Sequence, residues 1–133
     1  MNQGIARTWE RLKSVLRGRK GTDFQLEITE VGITLKWLNL ENESGEHFIQ
    51  WGQVQTITVY KRDLFTYDLI CLLFSSRIGP EIELNEEMPN WQSLVDALPQ
   101  FLPGCPAYQD WWHPIAVPAF ATNETVIYSR LKP

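Results

Sequence analysis

Alternating apolar and polar residues mark several β-strands along the chain, each with one buried and one wet face. Residues 23–40 are predicted to form a hairpin, because the alternation stops at the turn Thr29-Glu30-Val31-Gly32 and then resumes. The polar run 41–47 is predicted to be a solvated loop. Further strands are expected over residues 54–60, 68–75, 80–85 and 125–128.

Residues 89–98 carry the spacing of an amphipathic helix. Its apolar positions fall at i, i+3, i+4 and i+7: Trp91, Leu94, Val95 and Leu98. Pro89 suits a first helical turn, and Pro99 predicts that the helix ends or kinks near Leu98. Strands followed by this helix predict an α+β fold, with one antiparallel sheet of six or seven strands closed by the helix. A short aromatic helix or turn is expected in the remaining stretch, 103–133.

The first twenty residues combine an apolar stripe with strong basic charge. The stripe consists of Ile5, Trp9, Leu12 and Leu16, and the other positions include six basic residues and one acidic residue, a charge of +5. Because the whole chain carries −4, the remainder carries −9. Two interpretations are open: a helix docked on the sheet with its basic face toward the acidic body, or an arm for membranes or nucleic acid. Docking is favoured, since the acidic body repels phosphates.

Size and composition predict a single domain over residues 1–133, in which a basic helix (1–20), a core (23–102) and a C-terminal extension (103–133) follow one another. Of the two cysteines, Cys71 lies in an apolar run and Cys105 in a turn, and reduced thiols are favoured over a disulfide. Residues 1–22 do not have the pattern of a signal peptide, and the apolar runs are too short to cross a membrane. We therefore expect a cytoplasmic protein without membrane insertion.

The hairpin 23–40, the strand opening with Trp51-Gly52-Gln53-Val54 and Ile57, and the helix stripe together resemble the bacterial pleckstrin-homology-type (PH-like) domains over residues 23–102. The resemblance implies a partial barrel of antiparallel strands closed by the helix. Phosphoinositide-binding members of that superfamily carry basic residues in the first hairpin loop. The loop here contains one acid, Glu30, and no base, so phosphoinositide binding is not expected.

Catalytic patterns are nearly absent from the sequence. His47 and His113 have no neighbouring Ser, Cys or Asp that would form a local dyad, and the glycines are too isolated to cradle a phosphate. Glu81 and Glu83 share one face of a strand, where a solvated surface is the favoured interpretation. We therefore predict no catalytic residue, no bound metal and no cofactor. The acidic body also argues against a nucleic-acid partner.

The connection from Tyr60 to Asp68 has an unusual composition for a turn, since it holds two tyrosines and the pair Leu64-Phe65 where Gly, Asn or Pro is usual. Either the apolar pair completes a small core, or it forms the apolar centre of a protein-binding site. Of Trp111 and Trp112, one is expected in the core and one at the surface. The candidate partner-binding residues are Tyr60, Arg62, Asp63, Leu64, Phe65, Tyr67, Asp68, Trp111 and Trp112.

Three functional hypotheses follow from these patterns. Small size, acidic charge and lack of catalytic chemistry resemble bacterial immunity proteins, which neutralise a partner toxin by binding it; that toxin would be encoded by a neighbouring gene. A second hypothesis is a PH-like adaptor or regulatory domain that binds a peptide or another protein. The third is an enzyme whose site is assembled from distant residues such as Asp110, His113 and Glu124. The first hypothesis is favoured.

Overall fold

A computed structural model describes residues 23–117 and 124–131 of the chain. The fold is α+β, with two antiparallel sheets and two helices in the described part. The elements are β1 (Asp23–Ile28), β2 (Gly32–Leu38), β3 (Ser44–Gln50), β4 (Val54–Asp63), β5 (Asp68–Ser76), β6 (Ile82–Asn85), α1 (Trp91–Phe101), α2 (Tyr108–Ala116) and β7 (Thr125–Ser129). The expected basic helix over residues 1–20 lies outside the described residues.

The first sheet has the strand order β1-β2-β3. The predicted hairpin is confirmed, and its turn is fixed by the Thr29 hydroxyl, which accepts hydrogen bonds from the amides of Val31 and Gly32. The predicted loop 41–47 is wrong, because Ser44–Gln50 pairs with β2 as a strand. Gly45 helps this polar segment to pair, because the Trp37 indole of β2 packs directly over the Gly45 backbone in β3. A Cβ at position 45 would clash with the indole ring, so this close packing requires glycine.

The second sheet has the order β6-β5-β4-β7 and is antiparallel throughout. The expectation of one sheet is therefore wrong: a three-stranded and a four-stranded sheet share one core, and in the described part of the chain they do not close into a barrel. Inward-facing residues come from both sheets. They include Leu26, Leu35, Ile49, Ile57, Val59, Leu72, Phe74, Ile82 and Leu84.

Helix α1 packs its predicted stripe into this core, which confirms that part of the sequence analysis. Asn90 precedes it at a positive φ of 68° and donates from Nδ2 to the Leu26 carbonyl, 2.7 Å away, so the start of the helix is tied to β1. Of the two alternatives at Pro99, an end of the helix near Leu98 is wrong, since α1 continues through Pro99 to Phe101. Burial of Leu98 and Leu102 and the stacking of Phe101 on Trp51 hold this last turn in place.

Helix α2 and β7 complete the described structure. Trp111 and Ile115 of α2 enter the core, and β7 pairs with β4. Just after β7, the Arg130 guanidinium donates to the carbonyls of Val54 and Trp51 at 2.9 and 3.1 Å, which fixes β7 to the start of β4. Cys71 and Cys105 are both buried, and no disulfide joins them, as expected. None of the helices in the described ranges has the length and apolarity that a membrane crossing requires.

Candidate protein-binding site

The connection between β4 and β5 is a four-residue turn, Leu64 to Tyr67, because β4 continues to Asp63 instead of ending at Tyr60. Its backbone is tightly hydrogen-bonded. The Leu64 amide donates to the Tyr67 carbonyl at 3.0 Å, and the Thr66 amide donates to the Leu64 carbonyl at 2.9 Å. The Asp63 carboxylate accepts from the Phe65 amide at 2.8 Å. These bonds give the exposed turn a defined shape.

Phe65 lies at the tip of this turn and is 92% exposed, so it is not a core residue. Its φ is 73°, a region that residues other than Gly, Asn and Asp rarely adopt. The hydrogen bond from Thr66 to Leu64 encloses Phe65 in a γ-turn of the positive-φ form, which is rare and strained. An exposed phenyl ring on a strained backbone has no packing role that explains it, and such strain is characteristic of functional sites.

The strain at Phe65 can be measured by comparing two variants that both lack the ring. Because glycine adopts positive φ without a Cβ clash, we expect Phe65→Gly to be more stable than Phe65→Ala by about 1 kcal/mol. At Thr66, whose φ is not positive, the order should be reversed and alanine should be the more stable replacement. Urea denaturation of the four variants gives the comparison. An alanine variant at position 65 as stable as the glycine variant would show that no strain is stored there.

The rim of the turn is acidic. The Tyr67 hydroxyl donates to the Glu87 carboxylate at 2.7 Å, and this hydrogen bond raises the pKa of Tyr67 above its usual value. Glu86 accepts from the amide of Ile70 at 3.0 Å. The side chains of Glu86 and Glu87 are thus directed toward β5 and the turn. With Asp63, they give the surroundings of the turn a negative charge.

Lys61 anchors the base of the turn. Its ammonium group lies 3.2 Å from the Asp68 carboxylate and donates to the Ala116 carbonyl at 3.0 Å, and its side chain is only 2% exposed. The cation therefore links the start of β5 to the C-terminal end of α2. The sequence analysis does not identify this role of Lys61. A signal for it exists, because residues 57, 59 and 61 alternate along β4 and so point to the same, inward side of the strand.

Tyr60 and Arg62 lie on the opposite face of β4 and contact the buried Glu83 of β6. The Tyr60 hydroxyl donates to one carboxylate oxygen at 2.5 Å, and the Arg62 guanidinium donates to the other at 3.0 Å. The interpretation of Glu83 as a solvated carboxylate is therefore wrong, because its side chain has no exposed surface. Both partners are committed to this cluster, which holds β4 and β6 together across β5.

The two tryptophans divide as expected. Trp111 is buried in the core, so it offers no surface to a partner, whereas Trp112 is partly exposed and stacks on Tyr108. Trp112 lies one helical turn before Ala116, the residue that Lys61 binds. The predicted residues are therefore not all in one place. Leu64, Phe65 and Tyr67 lie in the turn, Asp63 and Asp68 flank it at the ends of β4 and β5, and Trp112 lies on the adjoining helix.

The residues considered for a dispersed catalytic site lie at the surface. Asp110 and His113 are exposed on α2, and Glu124 is exposed before β7. No group of three or more His, Cys, Asp or Glu residues with the geometry of a metal site occurs among residues 23–117 and 124–131. What the geometry offers is an exposed aromatic tip on an ordered turn with an acidic rim. Comparison of the chain with protein-family models, curated proteins and solved structures found no match to any of them.

Proposed function

We propose that this protein is a non-catalytic protein-binding module and that the β4–β5 turn is its contact surface. The observation that carries the proposal is the exposure of Phe65 on a hydrogen-bonded turn. Interfaces are centred on aromatic anchors surrounded by polar groups, and an anchor already held in position loses little conformational entropy on binding. Leu64 and Tyr67 extend the apolar centre, and Trp112 supplies a second aromatic group on the neighbouring helix.

The charge around the turn defines the kind of partner. Lys61 and Arg62 are each engaged with a carboxylate, of Asp68 and Glu83, while Asp63 and Glu87 remain at the surface. An acidic rim accelerates encounter with a basic protein and orients it, and the aromatic anchor then slows dissociation. The partner is therefore a protein with a basic surface and a pocket for a phenyl ring.

Within this class, the proposed role is that of an immunity protein, which neutralises a bacterial toxin in the cytoplasm by binding it. The domain is proposed to be a PH-like frame in which α1 closes the end of the two sheets. Support comes from the buried stripe of α1, the acidic chain and the exposed aromatic tip of the β4–β5 turn. A protein that acts on a nucleic acid needs a basic surface for the phosphates, and an acidic inhibitor would match that charge.

Co-expression tests this role. Cells that produce a toxic protein encoded beside this gene are expected to survive only when the chain is produced with it. The purified chain should bind that protein, and the association rate should fall as the salt concentration is raised from about 50 to about 500 mM. Over this range the Debye length shortens from about 14 Å to about 4 Å, so the attraction between the charged surfaces is screened. Survival of the cells without this chain would contradict the immunity role, and salt-independent association would contradict the acidic contact surface.

A further inference from the structure

Strand β3 is an end strand of the three-stranded sheet, because among the described residues only β2 pairs with it. Its seven residues extend over about 23 Å at about 3.3 Å per residue. Exposed edge strands usually carry a proline, a bulge or several charges that prevent pairing with other chains. β3 contains no proline, lysine or arginine, its register with β2 is unbroken, and Glu46 is its one carboxylate. The edge of β3 is therefore suited to pair with a further strand.

The hydrogen-bond pattern shows which backbone groups of β3 point away from β2. Just beyond one end of the β2–β3 ladder, the Trp51 amide donates to the Val31 carbonyl at 3.1 Å. Just beyond the other end, the Asn39 amide donates to the Glu43 carbonyl at 2.9 Å. Bonded pairs alternate along an antiparallel ladder, so the odd-numbered residues of β3 bond to β2. The N–H and C=O groups of its even-numbered residues face the open edge.

The two edges of this sheet differ in how these backbone groups are engaged. On β1, the Leu26 carbonyl accepts from Asn90 Nδ2 at the start of α1, as described above. On β3, the Gln50 amide donates to Gln53 Oε1 at 3.3 Å. The amides of residues 46 and 48 have no acceptor in the part of the chain that the structure describes. The middle of β3 thus offers backbone donors and acceptors that a strand from another molecule can bind.

Phe48 is the large apolar side chain beside this edge. The even-numbered residues of β3 share the solvent face of the sheet, opposite the face from which Ile49 enters the core. Phe48 lies across from Thr34 of β2 and is 45% exposed. Aromatic side chains that face each other across neighbouring strands stabilise a sheet. An aromatic partner on a strand added to the edge would therefore cover the Phe48 ring.

We propose that β3 pairs antiparallel with β3 of a second copy of this chain, about a two-fold axis that passes beside Phe48. The two three-stranded sheets then form one continuous sheet. The Phe48 amide of each copy donates to the Phe48 carbonyl of the other, and the Glu46 amide of each donates to the Gln50 carbonyl of the other. The Gln50 amides keep their bonds to Gln53. This surface is separate from the β4–β5 turn, so the proposal does not depend on the protein-binding role.

Side-chain pairing selects this register. Ladder bonds form only where outward-facing residues lie opposite each other, so the axis can pass beside Glu46, His47 or Phe48. An axis at Glu46 would oppose two carboxylates, and an axis at His47 would oppose each carboxylate to a phenyl ring. With the axis at Phe48, the two rings face each other, and each Glu46 carboxylate lies opposite a Gln50 side-chain amide that can donate to it. The edge is therefore complementary to itself.

The mass of the full chain in solution tests the proposal directly. A contact between two short strand edges is smaller than the interface of a permanent dimer, so we expect a Kd between about 10 μM and about 1 mM. Sedimentation equilibrium over about the same range of concentrations should show the monomer passing into a dimer. A chain that remains monomeric at about 1 mM would overturn the proposal.

Phe48→Glu tests the edge, because it removes the pair of rings and places two carboxylates opposite each other at the axis. We expect the Kd of self-association to rise at least about ten-fold. Val126→Glu is the matched control, since Val126 is 58% exposed on β7 of the other sheet and the substitution adds the same charge. Its Kd should equal that of the parent chain. Equal weakening in the two variants would show an effect of net charge alone and contradict pairing through β3.

Amide hydrogen exchange of the parent chain, followed by NMR, identifies the paired edge residue by residue. The amides of His47 and Ile49 bond to β2, so they should exchange slowly at every protein concentration. Those of Glu46 and Phe48 should exchange at least about ten-fold more slowly in concentrated than in dilute protein. A dimer in which both remain fast would place the interface elsewhere, and protection of both in dilute protein would mean that the same chain covers the edge. Either outcome contradicts the proposal.

Discussion

Phe65→Ala is expected to weaken binding of the partner protein by more than about 2 kcal/mol, or about thirty-fold in Kd, while the melting temperature stays nearly unchanged. The ring is 92% exposed, so its loss removes almost no packing from the free protein. In a complex the same ring would be desolvated at the centre of the interface, where aromatic anchors contribute most. Isothermal titration calorimetry and thermal unfolding of the same samples measure both quantities.

Leu40→Ala is the matched control for this experiment. Leu40 is an apolar residue that is 78% exposed, and it lies in the connection between β2 and β3, away from the β4–β5 turn. Its replacement should change neither affinity nor stability. Phe65→Gly adds a second comparison, since it should lose affinity as Phe65→Ala does while being the more stable of the two. Unchanged affinity for Phe65→Ala would move the interface away from the turn, with Trp112 as the next position to replace.

Lys61→Met should lower the free energy of unfolding by about 3 kcal/mol. The methionine keeps the length of the side chain but removes the cation, which leaves the carboxylate of Asp68 in a largely buried position and the Ala116 carbonyl without its ammonium donor. Removing one member of a buried ion pair costs more than the pair contributes, because the remaining charge stays desolvated. Denaturant unfolding measures the loss.

Lys36→Met provides the contrast for Lys61→Met. Lys36 also binds a carboxylate, that of Glu27 at 2.6 Å, but the two side chains are 40% and 52% exposed, and such a pair contributes at most about 1 kcal/mol. Adding Asp68→Asn to Lys61→Met removes the desolvated charge, so the double variant should recover part of the lost stability. Equal effects of Lys61→Met and Lys36→Met would show that burial of the Lys61 pair has no energetic consequence.

Local patterns in the sequence are sufficient to predict the helices and strands whose apolar residues recur at a strong period. The stripe of α1 and the hairpin 23–40 were predicted because their burial repeats at the period of one secondary structure. Strand β3 is not predictable from its own residues, because it forms through pairing with β2 and through the packing of the Trp37 ring on Gly45. The helix continues through Pro99 for a related reason: the local cost of the proline is offset by the burial of Leu98 and Leu102, which a linear pattern does not display.

The division into two sheets and the details of the turn also required tertiary information. The sequence left the burial of Leu64 and Phe65 open, since an apolar pair in a turn suits a small core and an interface equally well. The exposure of Phe65 excludes the small core for its ring, and neither this exposure nor the positive φ of Phe65 is encoded in residue type. The acidic rim was only partly predictable, because Glu87 reaches Tyr67 across twenty positions of chain.

The pairing of β7 with β4 has a consequence for synthesis of the chain on the ribosome. Thr125 pairs with Val59, which is translated 66 residues earlier, whereas the hairpins of β1–β3 and β4–β6 join neighbouring segments. The nascent chain can therefore assemble six strands while one edge of β4 still exposes unpaired amides and carbonyls. Such an edge invites pairing with other chains. Slow translation between residues 60 and 125 would prolong this open state, and aggregation of the nascent protein would depend on how quickly ribosomes cover that interval.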